Sequence, residues 1–101
     1  MRKVVFSRIA SRRLEALLLF LELEWSSKAK KQFIARLDVS LNRLKKYPGS
    51  APRSQTIPNL HRCVITRQTT IYYRFDKHTI KVVALFDTRQ DPDNLDREIN
   101  Q

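Results

Sequence analysis

Residues 60–87 constrain the fold most, because apolar and polar residues alternate there with the period of a β-strand in two successive stretches. The polar run 76–79 separates the stretches, so together they predict a β-hairpin. A third β-prone run at 60–67 extends the hairpin to a three-stranded antiparallel meander. The side chains expected to face the core are Ile71, Tyr73, Phe75, Ile80, Val82 and Phe86. The opposite face is expected to stay open, with a mixed basic, aromatic and aliphatic set: Thr70, Tyr72, Arg74, Lys81, Val83 and Leu85.

Two amphipathic helices are predicted before the meander, after a short β-prone run at residues 3–7. Ser7 or Ser11 can cap the first helix, and Ser26 or Ser27 can cap the second, which ends at Pro48-Gly49. The core stripe of the first helix is predicted to contain Ala10, Leu14, Leu17, Leu18, Leu21 and Trp25. The core stripe of the second helix is predicted to contain Phe33, Ile34, Leu37, Leu41 and Leu44.

The first helix also carries a second apolar stripe, on the side where a surface helix is normally polar. The residues of this second stripe are Ala16, Leu19, Phe20 and Leu23. Such a helix is either buried on both sides within its own domain or covered by a partner chain. A small domain has little material for a second layer, so we expect a partner to cover the stripe.

The predicted element order is β-α-α-β-β-β, which makes the chain an α+β protein. The helical hairpin is expected to lie on one face of a four-stranded, mostly antiparallel sheet. With 101 residues, of which 42% are hydrophobic, the chain is expected to form a single domain over residues 1–101. The apolar run 14–23 is too short for a membrane span and contains two acids, so no membrane association is expected.

The formal net charge is +10, and the charges are unevenly distributed along the sequence. Residues 25–75 contain eleven lysines and arginines but a single acid, Asp38. Residues 87–98 contain five acids and two arginines. A cationic surface of this kind attracts polyanions, so we expect a nucleic acid or an acidic protein segment as a partner.

The residue types of common catalytic sites are scarce in this sequence. His61 and His78 are too few to define a metal site, and Gly49 is the only glycine, so no phosphate-binding glycine-rich loop can form. We therefore predict no metal and no cofactor. Cys63, the only cysteine, is expected to be a packed core thiol in a reducing cytoplasm. What remains is arginine chemistry on phosphate, with tyrosines as possible stacking or proton-transfer groups.

Three segments carry a family resemblance, together with the element order. They read Leu-Asn-Arg-Leu-Lys-Lys-Tyr-Pro at 41–48, Ile-Tyr-Tyr-Arg-Phe at 71–75 and Leu-Phe-Asp-Thr-Arg-Gln-Asp-Pro at 85–92. The chain resembles the RelE/ParE superfamily of bacterial toxins from type II toxin–antitoxin systems over nearly its whole length. The resemblance implies a small cytoplasmic toxin that a cognate antitoxin wraps and neutralises in a hetero-oligomer.

The superfamily divides into two groups by target. RelE-type toxins cleave mRNA on the ribosome, whereas ParE-type toxins poison DNA gyrase. Compared with the nuclease pattern, Arg89 matches an expected strand-end arginine, but residues 91–95 lack the tyrosine that follows it. Cys63 and Ile65 stand roughly where that nuclease has lysines, and Thr70 stands where it has a second arginine.

The resemblance therefore favours a ParE-like gyrase inhibitor, with a RelE-like ribosome-dependent mRNA endoribonuclease as the alternative. A basic nucleic-acid-binding module is a third hypothesis, which leaves the second stripe unexplained. Target binding is predicted at Arg67, Tyr72, Arg74 and Arg89, grouped on the open sheet face or at its edge. If the chain is a ribonuclease, the candidate catalytic residues are Arg62, Arg67, Arg74 and Arg89. The antitoxin is predicted to bind the second stripe.

Overall fold

The elements of the computed structural model, which describes residues 1–90, follow the predicted β-α-α-β-β-β order. Strand β1 is Lys3–Phe6, and helix α1, Arg8–Phe20, runs directly into a π-helical turn at Leu21–Trp25. Helix α2 is Ser27–Lys46. Strands β2, β3 and β4 are His61–Val64, Thr69–Phe75 and Thr79–Asp87. Asp91 and Pro92, which belong to the family resemblance, and residues 91–95, which lack the tyrosine of the nuclease pattern, lie outside the described residues.

Serine side chains begin both helices, as the sequence predicts. Ser7 Oγ accepts a hydrogen bond from the Ala10 amide at 3.1 Å, and Ser26 Oγ accepts one from the Ala29 amide at 3.0 Å. Each cap satisfies an amide that has no partner within its helix. No helix within residues 1–90 is long and apolar enough to cross a membrane.

The sheet has the strand order β1-β4-β3-β2, with β1 parallel to β4 and the other two pairs antiparallel. This arrangement confirms the predicted four-stranded, mostly antiparallel sheet. The helices cover one face of it. The core contains Ala10, Leu17, Leu21, Phe33, Leu37, Leu44, Cys63, Ile71, Tyr73, Ile80, Val82 and Leu85. The burial of Cys63 agrees with its predicted role as a packed core thiol.

A β-bulge in β4 reverses part of the predicted facing of that strand. Tyr72 pairs with Ala84 but Tyr73 pairs with Val82, so Val83 is the extra residue. An extra residue moves every later side chain to the other face. Leu85, expected on the open face, is therefore buried in the core, and Phe86, expected in the core, lies on the opposite face. Both of these predictions were wrong.

Trp25 does not belong to the core stripe of α1, and 60% of its surface is exposed. The Ser26 amide donates to the Leu21 carbonyl at 2.9 Å, which is the five-residue spacing of a π-helical turn. A residue turns through less than 100° in such a turn, so Trp25 takes a different angular position from the one that α-helical spacing assigns to it. The predicted position was wrong because the sequence was placed on an uninterrupted α-helix.

Candidate functional site

A buried carboxylate at the end of β4 holds an arginine in a fixed position. Asp87 Oδ1 accepts hydrogen bonds from the backbone amide and the Nε of Arg89, at 2.9 and 3.0 Å. Asp87 Oδ2 accepts from Arg89 Nη2 at 2.7 Å and from the hydroxyl of Thr69. Strand pairing places Thr69 directly opposite Asp87. This two-point geometry restricts the guanidinium far more than a single ion pair would.

The electrostatics of Asp87 follow from these contacts. Burial, which is the largest single influence, raises the pKa of the carboxyl. The hydrogen bonds from Arg89 and Thr69 act in the other direction, and together with the arginine charge they leave the pKa below its ordinary value. Asp87 is therefore ionised at neutral pH, and its charge is matched by Arg89.

The Arg89 side chain is only 19% exposed, since a tryptophan lies on its other side. Its guanidinium carbon is 5.7 Å from the centre of the Trp25 ring, within the range of a cation–π contact. The backbone before Arg89 is fixed to the β2–β3 loop, because the Thr88 amide donates a hydrogen bond to the Gln68 carbonyl at 2.9 Å. The π-helical turn and the end of the sheet thus meet at Arg89.

A cavity of about 310 Å³ opens at this meeting point, between the turn from α1 to α2 and the loop from β2 to β3. Three arginines line it, Arg36 from α2, Arg67 from the loop and Arg89 after β4, together with Trp25. The full lining is Leu21, Trp25, Ala29, Gln32, Phe33, Arg36, Thr66, Arg67, Gln68 and Arg89. We call this the arginine cavity. None of its lining residues within 1–90 is an acid, so it suits an anionic or polar group of a partner.

The four predicted target-binding residues do not form one group. Arg67 and Arg89 line the arginine cavity. Tyr72 instead lines a hollow on the other sheet face beside Arg62, and Arg74 lies at the far end of β3. Arg89 departs from the predicted open face because Asp87 pairs with Thr69, which is fully buried on the helix side.

Sequence reasoning missed two residues of the arginine cavity, Trp25 and Arg36. Trp25 was assigned to the core, for the reason given above. Arg36 follows the core residue Phe33 by three positions, so it borders the apolar stripe of α2, and only that spacing could have indicated it. The partner of Arg89 was also missed, although Asp87 stands only two residues before it.

None of the described tyrosines and histidines, which could move protons, lines the arginine cavity. Tyr73 donates to the Pro48 carbonyl at 2.6 Å, and burial raises its pKa to about 12. Tyr72 packs its ring edge-on against Phe86, with ring centres 6.0 Å apart. His61 Nδ1 is 2.9 Å from the Ala51 carbonyl oxygen, and the ring stacks on Tyr73. Within residues 1–90, no group of His, Cys, Asp and Glu side chains is arranged to hold a metal ion.

Three of the four residues of the second stripe are exposed, Ala16 and Leu19 on α1 and Leu23 in the π-helical turn that continues it. Leu19 and Leu23 have 56% and 71% of their surface exposed, and Ala16 is also exposed. Phe20 differs, since it is partly buried and packs against the core. Isolated exposed leucines are common, but a row along one helix is typical of a surface that another chain covers.

The comparisons with known proteins agree with this fold. The solved ParDE toxin–antitoxin system from P. aeruginosa matches with a TM-score of 0.67 at 18% identity, covering 86% of this chain and 96% of that one. The E. coli DinJ-YafQ complex matches with a TM-score of 0.60 at 8% identity, covering 90% and 98%. At these identities the likeness shows the fold alone. None of the curated protein sequences matches this chain.

The fold defines a small α+β domain, and the sequence assigns it to a class. Residues 4–92 match the family described as ParE toxin of type II toxin–antitoxin system, parDE. The chain belongs to the ParE toxin family of type II toxin–antitoxin systems. This confirms the resemblance drawn from the β3 segment and the end of β4.

Proposed function

We propose that this ParE-family toxin inhibits DNA gyrase by binding it, and that the arginine cavity is the part of the surface that holds the target. The observation that carries the proposal is the composition of the cavity. It presents three arginines and a tryptophan, with Arg89 fixed by Asp87 and no acid, imidazole or phenol among the described lining residues. Arginine and tryptophan are the residues that most often dominate protein–protein binding energies.

The same composition disfavours the ribonuclease alternative. Cleavage of mRNA through the 2′-hydroxyl requires a general base and a general acid close to the scissile phosphate. Arg89 already directs Nε and Nη2 at Asp87. Tyr73 and His61 are hydrogen-bonded outside the cavity, and no described tyrosine or histidine lines it. A binding surface requires none of these proton-transfer groups, so the arginines suffice for it.

The second partner in this proposal is a cognate antitoxin that covers the exposed part of the second stripe, Ala16, Leu19 and Leu23. A helix or strand of the antitoxin would bury these side chains and form the toxin–antitoxin hetero-oligomer. Since gyrase acts in the bacterial cytoplasm, we place the action of the toxin there.

Two assays on the purified full-length toxin test the target. In the first, the toxin is titrated into a gyrase supercoiling reaction, with and without its antitoxin. In the second, it is added to ribosomes translating a defined mRNA. We expect inhibition of supercoiling that the antitoxin reverses, and uncut mRNA. Cleavage of ribosome-bound mRNA together with unaffected supercoiling would replace this proposal with the ribonuclease.

A further inference from the structure

The sheet face turned away from the helices carries one cation on each of its four strands. These are Lys3 on β1, Lys81 on β4, Arg74 on β3 and Arg62 on β2. Each is next to a residue that packs in or against the core, namely Val4, Ile80, Tyr73 and Cys63. Because side chains alternate along a strand, the four cations lie on the other face. We call them the cationic row.

The strand register arranges the cationic row as a diagonal across the sheet. Arg74 is directly opposite Lys81. Arg62 is opposite Tyr72, two positions from Arg74, and Lys3 is opposite Thr79, two positions from Lys81. Three strand spacings of about 4.8 Å and a four-residue offset at about 3.4 Å each give the row a length of about 20 Å.

The charges of this row are not paired within the described part of the chain. None of its four side chains forms an ion pair with a described residue. Asp76, in the β3–β4 turn, lines one hollow with Arg74 and Lys81 but forms no ion pair with either. Its Oδ1 accepts hydrogen bonds from the amides of His78 and Thr79, both at 2.8 Å. Like charges directly opposite each other destabilise a sheet, as Arg74 and Lys81 do here. An external polyanion would relieve that repulsion.

The surroundings of the row supply further donors for anionic oxygens. Arg53 lines two adjoining hollows, one with Arg62 and Tyr72 and one with Arg74. Their volumes are about 350 and 320 Å³. Hydroxyl and amide side chains of the loop before β2 complete the first hollow: Ser54, Gln55 and Thr56. Arginines, hydroxyls and amides are the side chains that contact phosphate oxygens in protein–DNA complexes.

Two other polyanions fit this face less well. An acidic peptide that folds on binding needs apolar anchors, but the exposed apolar residues here, Val5 and Val64, are on opposite edge strands. A single-stranded nucleic acid needs aromatic rings on which bases can stack. Tyr72 is only 5% exposed, and the Phe75 ring is already in contact with Arg2 and His61.

We propose that the cationic row binds the phosphate backbone of duplex DNA without reading its sequence. This surface is separate from the arginine cavity and from the second stripe. The proposal does not depend on gyrase being the target. Its energetic basis is the release of counterions from DNA when the cations replace them.

The test measures binding of the full-length toxin to a fluorescent duplex of arbitrary sequence at several salt concentrations. The key variant is Arg62→Gln with Arg74→Gln. The matched control is Lys28→Gln with Lys31→Gln, which removes the same charge from exposed positions on α2. Circular dichroism establishes that both variants are folded. If the key variant fails to fold, Lys3→Gln with Lys81→Gln takes its place.

We expect the key variant to bind the duplex about tenfold more weakly, or worse, at 0.1 M salt, and the slope of log K against log salt to become shallower by about 1.8. The control pair should bind like the wild type. We also expect Arg74→Gln alone to raise the melting temperature at low salt, because it removes the repulsion with Lys81. If Arg74 only stabilised the fold, its replacement would lower the melting temperature.

Three results would overturn the proposal. Equal weakening by the control pair would mean that only net charge attracts DNA. Equal or tighter binding of poly-glutamate of matched charge would assign the row to an acidic protein segment. Tighter binding of the single strand than of the duplex would mean that bases, not the duplex backbone, are recognised. Failure of gyrase inhibition would leave this proposal untouched, since no gyrase is present in the test.

Discussion

Asp87 and Arg89 form a two-point ion pair in which Nε and Nη2 of the arginine donate to opposite oxygens of the carboxylate, at 3.0 and 2.7 Å. The pair stands where the last strand ends, and it carries one wall of the arginine cavity. It therefore links the stability of the fold to the shape of the proposed target site.

The first prediction concerns Asp87→Asn. The amide keeps the size of the side chain but removes the charge, so the Arg89 guanidinium is left partly buried without a counter-charge. We expect a loss of about 2–4 kcal/mol in the free energy of unfolding, measured by urea denaturation. Asp38→Asn, at an exposed position on α2, is the control and should change it by less than about 0.5 kcal/mol. An equal loss of unfolding free energy in both variants would show that the ion pair contributes no more to stability than an exposed charge.

The second prediction follows from the lowered pKa of Asp87. A carboxyl with a lower pKa in the folded state stabilises the protein above its unfolded pKa of about 3.9. This contribution is lost as the pH falls through the folded pKa. The melting temperature of the wild type should therefore fall further than that of Asp87→Asn when the pH is lowered from about 5 to well below about 3.9. Parallel curves for the two proteins would contradict the assigned cause.

The third prediction concerns the second stripe. Leu19→Ser with Leu23→Ser should weaken the complex with the antitoxin about tenfold or more, because it removes two apolar side chains that the antitoxin would bury. The melting temperature of the free toxin should stay close to that of the wild type. Val39→Ser, at an equally exposed apolar position on α2, is the control. Isothermal calorimetry that finds the same affinity for the double variant and the control would assign the antitoxin to another surface.

The fourth prediction concerns Tyr73, which donates to the Pro48 carbonyl. Tyr73→Phe leaves that carbonyl without its donor and should cost about 1–2 kcal/mol of unfolding free energy. The raised pKa means that the phenol stabilises the fold fully below its unfolded pKa of about 10, and less as the pH rises towards about 12. An alkaline absorbance titration should lose its last phenolate step in Tyr73→Phe but keep it in Tyr47→Phe, at an exposed position.

Most of the fold could be predicted because its elements follow regular periods. Local sequence signals predict the caps at Ser7 and Ser26, the hairpin turn after Phe75 and the alternation of faces along β3. The errors occurred where one residue interrupts a period. The bulge at Val83 and the π-helical turn before Ser26 contain no glycine or proline that would mark them.

The candidate site was harder to predict than the fold, because its residues come together only through packing. Arg67 and Arg89 were predicted as target-binding residues from their charge and from the family resemblance, and the structure places Tyr72 and Arg74 at other hollows. The face on which Arg89 lies depends on the bond between Asp87 and Thr69, which are 18 residues apart. No local pattern reports such a contact.

The measurement that tests the central claim most directly is the toxin concentration that halves gyrase supercoiling, compared among three proteins. Arg67→Ala removes one wall of the arginine cavity at an exposed position, so the fold should survive it. We predict that it raises this concentration about tenfold or more, whereas Lys46→Ala, exposed at the end of α2, leaves it unchanged. The same half-inhibiting concentration for the wild type and both variants, or no inhibition by the wild type, would contradict the claim.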